Sequence, residues 1–130
     1  METREITACM ANGSVSYIDR EEGAEEKPWN EHPRFKGVYL KHLIQAAHTD
    51  GMLSCHIVKI DSNAILEEHV HENQWELHEV IKGEGRFLLE SNETPYYPGR
   101  MGVIPKGAKH KVIAGAHGLV LLAKFFPALI

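Results

Sequence analysis

Two histidines separated by a single residue, His69 and His71, constrain this chain more than any other feature. Residues two apart share a face only where the backbone is extended. A chain that uses both imidazoles at one point must therefore carry them on a β-strand. Glu76 follows five residues after His71, and Gly83 closes the stretch. The carboxylate can join the imidazoles if the chain bends after His71 and re-enters on a neighbouring strand. Two neutral nitrogens and a carboxylate oxygen suit a divalent first-row transition metal. A solvated strand edge with two surface histidines gives the same pattern, so that reading stays open at this point.

The stretch from Gly99 to His110 adds a second constraint. Gly99 opens a short apolar run, Pro105 closes it, Gly107 supplies a turn, and His110 follows. A strand, a tight turn and a returning histidine can bring one more nitrogen to the same point. Together the two stretches resemble the cupin family, whose motifs read G-x5-H-x-H-x3,4-E-x6-G and G-x5-P-x-G-x2-H-x3-N. His69, His71, Glu76 and Gly83 fit the first motif, and Gly99, Pro105, Gly107 and His110 fit the second. Two positions depart. Asn63 stands where the first motif opens on glycine, and Ala114 stands where the second closes on asparagine. Asparagine also tolerates left-handed turn geometry. The resemblance spans residues 38–126. It implies an all-β fold, a double-stranded β-helix or jelly-roll-like barrel, with metal inside one open end. It also implies that His69, His71, Glu76 and His110 ligate one divalent transition metal, of Fe, Mn, Ni, Co or Zn. Such a ligand set leaves about two open positions on an octahedral ion.

At 130 residues the chain is expected to form one barrel domain, 37–130, behind an irregular N-terminal arm, 1–36. Within the arm, Arg20 to Pro28 is polar and reads as loop, whereas Trp29 and Phe35 are expected to be pinned onto the barrel or a partner subunit. His32 reads as a packing or solvent-facing residue, because nothing near it has ligand spacing. Strands are expected over 37–43, 53–60, 65–70, 75–82, 86–90, 102–104, 110–113 and 119–126, with tight turns at Gly83-Glu84-Gly85 and at Gly115 to Gly118. Parity puts Glu67 on the face of His69, and His78 on the face of Glu76. Glu67 is then a candidate base or ligand-orienting group, or a rim carboxylate. His78 is a candidate for orienting Glu76, shuttling protons or touching substrate, or a histidine capped by a backbone carbonyl.

A net charge of −4 gives no electrostatic case for nucleic acid or an anionic membrane. No apolar run is long enough to span a bilayer, and the N-terminus lacks the pattern of a signal peptide. Cys9 and Cys55 lack C-x-x-C spacing and read as reduced thiols of a cytoplasmic protein. The last strand is apolar on both faces and the terminus is apolar, which favours a homodimer. Two classes of function follow from the resemblance. One is a small metalloenzyme of dioxygenase, isomerase, lyase or decarboxylase type acting on a small oxygenated metabolite. The other is a non-catalytic module that binds a small molecule or metal. The modules of that kind that sit beside DNA-binding domains have no counterpart here, since the chain shows no helix-turn-helix pattern.

Overall fold

A computed structural model describes residues 5–130. The first four residues of the expected arm, and that part of the N-terminus read for a signal peptide, lie outside them. Helix α1 (Ile6–Ala11) opens the described chain. It is followed by strands β1 (Ser14–Ser16), β2 (Glu21–Gly23) and β3 (Trp29–Glu31). The barrel strands are β4 (Val38–Ile44), β5 (Ser54–Ile60), β6 (Ile65–His69), β7 (Trp75–Leu89), β8 (Asn92–Tyr96), β9 (Met101–Ile104) and β10 (His110–Phe126). No helix among the described residues is long and apolar enough to cross a membrane.

The eight-stranded antiparallel sheet is organised by its two long strands, β7 and β10. The first half of β7 lies between β9 and the second half of β10, which continues the layer through β5, β4 and β3. The second half of β7 lies between β8 and the first half of β10, which in turn pairs with β6. One sheet thus folds over itself into two layers. Their inward side chains, among them Val38, Ile60, Phe87, Ile104, Val112 and Leu121, fill the interior.

The fold occurs at glycines where turns were expected. Gly83 and Gly118 adopt φ of +84° and +74°. A Cβ on Gly83 would strike the Gly118 carbonyl, so the two strands can bend together only without side chains there. Residues 83–85 and 115–118 are therefore bends within continuous strands. The β10 chain places Gly115–Gly118 opposite the single residue Glu84. Asn63, the departure from the first motif, has φ of +59° in the turn before β6 and meets the backbone requirement that a glycine would.

The arm wraps the outside of the barrel. Ala11 of α1 and Ala24 after β2 bury against Leu43, Ile57, Val120 and Leu122, so the outward face of the last strand is covered partly by its own chain. Buried Lys41 of β4 fixes that arrangement by donating to the Ala11 carbonyl at 2.6 Å, at the open end of the helix. Farther on, Phe35 packs against the interior cluster, and the Lys41 and Lys59 ammonium groups lie over the ring of Trp29. The C-terminal tail turns back across the mouth: Ala128 N–H donates to Gly51 O, Leu129 N–H to Ser54 Oγ, and Ile130 O accepts from Ala46 N–H.

Candidate metal centre

The open end of the barrel gathers His69, His71, Glu76 and His110, with one potential ligand atom from each lying within 4.8 Å of all the others. Each is positioned by a local backbone feature. Between the pairs His69–His110 and Leu66–Val112, β6 advances three residues while β10 advances two. That bulge turns His69 onto the face of Leu66 and aims the Glu67 carbonyl at His69 Nδ1, 2.7 Å away. His71 follows the strand, and its carbonyl accepts from Gly107 N–H at 2.9 Å. The turn before His110 is thereby tied to the first pair of histidines. Gly107 has φ of +75° in that turn. His110 Nδ1–H donates to Ala108 O at 3.0 Å. With Nδ1 of His69 and of His110 occupied as donors, both rings present Nε2 as the free nitrogen.

Glu76 enters from β7. Its Oε2 is held by His78 Nε2 at 2.7 Å, and Tyr96 Oη lies 3.1 Å from His78 Nδ1. Since Glu76 accepts from Nε2–H, Nδ1 of a neutral His78 is an acceptor and Tyr96 is its donor. All three side chains are buried, and Tyr96 stacks on Phe87 with ring centroids 4.7 Å apart. The other oxygen, Oε1, faces His110 Nε2 at 3.2 Å and His71 Nε2 at 3.5 Å. Glu76 Oε1 and His110 Nε2 are both buried without a hydrogen-bond partner. Orphaned buried polar atoms are rare and costly. A cation bound between them satisfies both.

Electrostatics prepare the same state. Burial, with His110 second, pushes the His69 pKa down to about 4. Burial lowers that of His71 as well. Both rings are neutral at pH 7, the form that ligates. For Glu76, burial acts to raise the pKa, but His78 and His110 outweigh it and hold the carboxyl well below the usual carboxylate range. Three imidazoles and one carboxylate are a donor set that fits a divalent first-row ion.

Among the other expected site residues, His78 is in place, fully buried against Glu76 and on the face that parity assigns. Glu67 is elsewhere. Its side chain is 55% exposed and pairs with Lys111 Nζ at 3.5 Å. The β6 bulge breaks the parity that placed it beside His69, so this carboxylate lies outside the cavity at the ligands. That cavity, about 70 Å³, is walled by Val38, Leu40, Val58, Leu66, Phe125 and Leu129. His32 also lines it. Ligand spacing could not reveal His32, which comes from the arm; the only sequence signal was its place beside the pinned Phe35.

Comparison with known proteins follows the same lines. A family model described as Cupin domain matches residues 56–122. KdgF from Halomonas sp. is 24% identical, with 79% of this chain and 90% of that chain covered at a TM-score of 0.69. A predicted oxalate decarboxylase from Thermotoga maritima is 19% identical over 79% of this chain and 95% of that one, TM-score 0.72. An RmlC-like cupin from Shewanella frigidimarina NCIMB 400 is 17% identical over 89% and 95%, TM-score 0.72. At these identities the structures establish a shared fold. No curated protein sequence matches the chain. The family match covers more than half of the chain and includes both histidine stretches, on a barrel shared with solved cupin structures: the chain belongs to the cupin family.

Proposed function

We propose that this protein is a small metal-dependent enzyme acting on a small oxygenated metabolite at one divalent ion of Fe, Mn, Ni, Co or Zn. The observation that carries the reading is the buried, unpartnered pair Glu76 Oε1 and His110 Nε2, converging with His69 and His71 beside a largely apolar cavity. A bound divalent ion supplies Lewis-acid polarisation of a carbonyl or carboxylate oxygen, or redox chemistry if it is iron. The protein's own part is to hold the ligands ready. His78, fixed by Tyr96, ties down one oxygen of Glu76 and leaves the other for the ion. The apolar wall keeps water scarce around the reacting group, which strengthens each electrostatic contact there.

A second reading, a non-catalytic module that binds a metal or small molecule, is favoured by one observation. Glu67, a candidate base or rim carboxylate, faces solvent, so among the described residues Glu76 is the one carboxylate that lines the cavity. Elemental mass spectrometry on tag-free protein tests the metal. About one equivalent in the native protein and loss in His110→Ala supports the site, whereas a full equivalent in His110→Ala overturns it. Turnover of small carbonyl and hydroxy-acid compounds by the loaded protein supports the enzyme. Binding without turnover supports the module.

A further inference from the structure

Among the described residues, the cavity at the metal ligands has one polar side chain besides the ligands themselves, His32. It stands directly after β3, and its backbone N–H donates to Val38 O at 2.7 Å, so the arm is stitched to the barrel at this residue. The ring is held from two sides. It stacks on Phe35 with centroids 4.5 Å apart, and Phe35 in turn lies 5.9 Å from the His69 ring. The backbone N–H groups of Arg34 and Phe35 donate to His32 Nδ1 at 3.1 and 3.3 Å. Nδ1 is therefore an acceptor, and a neutral ring carries its hydrogen on Nε2. Among the described residues no protein acceptor takes that Nε2–H. Burial, with the Arg34 charge second, lowers the His32 pKa, which favours the same neutral form.

A hydrogen-bond donor fixed in one tautomer at the wall of an apolar cavity serves a ligand better than it serves packing. Among the described residues the remaining walls are apolar side chains, and neither lysine nor arginine lines the cavity. A multiply charged anion would enter without a counter-charge beyond the ion. A cavity of about 70 Å³ suits a molecule of a few heavy atoms.

We infer that His32 is the substrate-recognising residue of this site, donating from Nε2–H to an acceptor oxygen of a short, singly charged 2-oxo or 2-hydroxy acid whose other oxygens face the His69, His71, Glu76 and His110 cluster. This inference rests on the metal reading above and adds the ligand class.

The experiment uses the full chain loaded with Co(II), whose absorption reports both metal uptake and ligand approach, with pyruvate as probe. The native protein, His32→Phe and His32→Gln are compared. The phenylalanine keeps the ring stacked on Phe35 and removes the donor; the glutamine restores an N–H near the Nε2 position. Co(II) affinity and the probe-free spectrum are expected to stay the same in all three. The pyruvate Kd is expected to rise about tenfold in His32→Phe, as for loss of one hydrogen bond, and to recover in part in His32→Gln. An unchanged pyruvate Kd in His32→Phe overturns the role of His32. So does loss of Co(II) binding in both variants, which would make His32 a support of the metal site. Native protein that takes Co(II) and refuses pyruvate overturns the ligand class. Native protein that refuses Co(II) overturns the metal reading itself, and this inference with it.

Discussion

Lowering the pH below about 6.5 should destabilise this barrel through His56. His56 lies on β5 with no exposed surface. Its Nδ1 is 2.8 Å from Nδ1 of His42, and its Nε2 is 2.9 Å from Ser54 Oγ. Two imidazole nitrogens at that separation share one proton, and a second proton between them would set two N–H donors against each other. Burial first, and His42 second, bring the His56 pKa from 6.5 to about 4, against a smaller opposing effect of Glu76. The folded value is below the unfolded one, so the unfolded chain binds the proton first. The stabilisation is complete above about 6.5 and is lost progressively as pH falls toward 4. At about 1.4 kcal/mol for each pKa unit, the gap corresponds to about 3 kcal/mol. Glu76 works in a separate window: its lowered pKa contributes stability above about 4.5 that is lost only below that pH. Urea unfolding of the metal-free protein at pH 7.5, 6.5, 5.5 and 4.5 measures the effect against His56→Gln. The variant is expected to start less stable, because it loses buried hydrogen bonds. Its stability should then fall less steeply, by up to about 1.4 kcal/mol per pH unit between pH 6 and 4.5. Histidines such as His69 contribute to both proteins and cancel. Parallel stability curves for the two proteins would refute the reasoning.

Three other outcomes are expected. His78→Ala should keep the metal but bind it about 10- to 100-fold more weakly, since Glu76 loses the partner that orients it; isothermal titration with the metal reads this, and an unchanged affinity would count against an orienting role. Glu67→Gln should leave metal affinity within about threefold, because its side chain meets Lys111 and solvent; a larger loss by the same titration would bring Glu67 back to the site. We also propose a homodimer through the outward face of β7, β9 and β10, where Trp75, Met101, Val103 and Phe126 are exposed beyond the reach of the arm. Sedimentation velocity should show a dimer that Val103→Glu dissociates, and a monomeric native protein would exclude this.

Several features of the chain were legible from sequence because they depend on local chemistry. His69 and His71 converge at the end of β6, which closes on His69 with His71 following it. Glu76, His78 and Val80 alternate inward on β7 as parity requires. Gly107 and Asn63 take the positive φ that their turns demand. The short apolar runs after residue 37, cut by glycine and proline, pointed to strands, and the two histidine stretches identified the family.

Other features depend on partners distant in the chain. Glu67 leaves the site because one extra residue in β6, opposite β10, reverses its facing; a bulge is set by pairing, which no residue of β6 encodes alone. Residues 83–85 and 115–118 look like turns by composition, but each stretch bends against the other, so neither reverses the chain. The arm covers the apolar outer face of β10 and carries His32 to the cavity, 37 positions before His69 in the chain. Local sequence determines which backbone states a residue can adopt and what class of metal its side chains can hold. Tertiary packing decides which of those side chains face one another, because facing is fixed by strand register and by segments brought together only when the barrel closes.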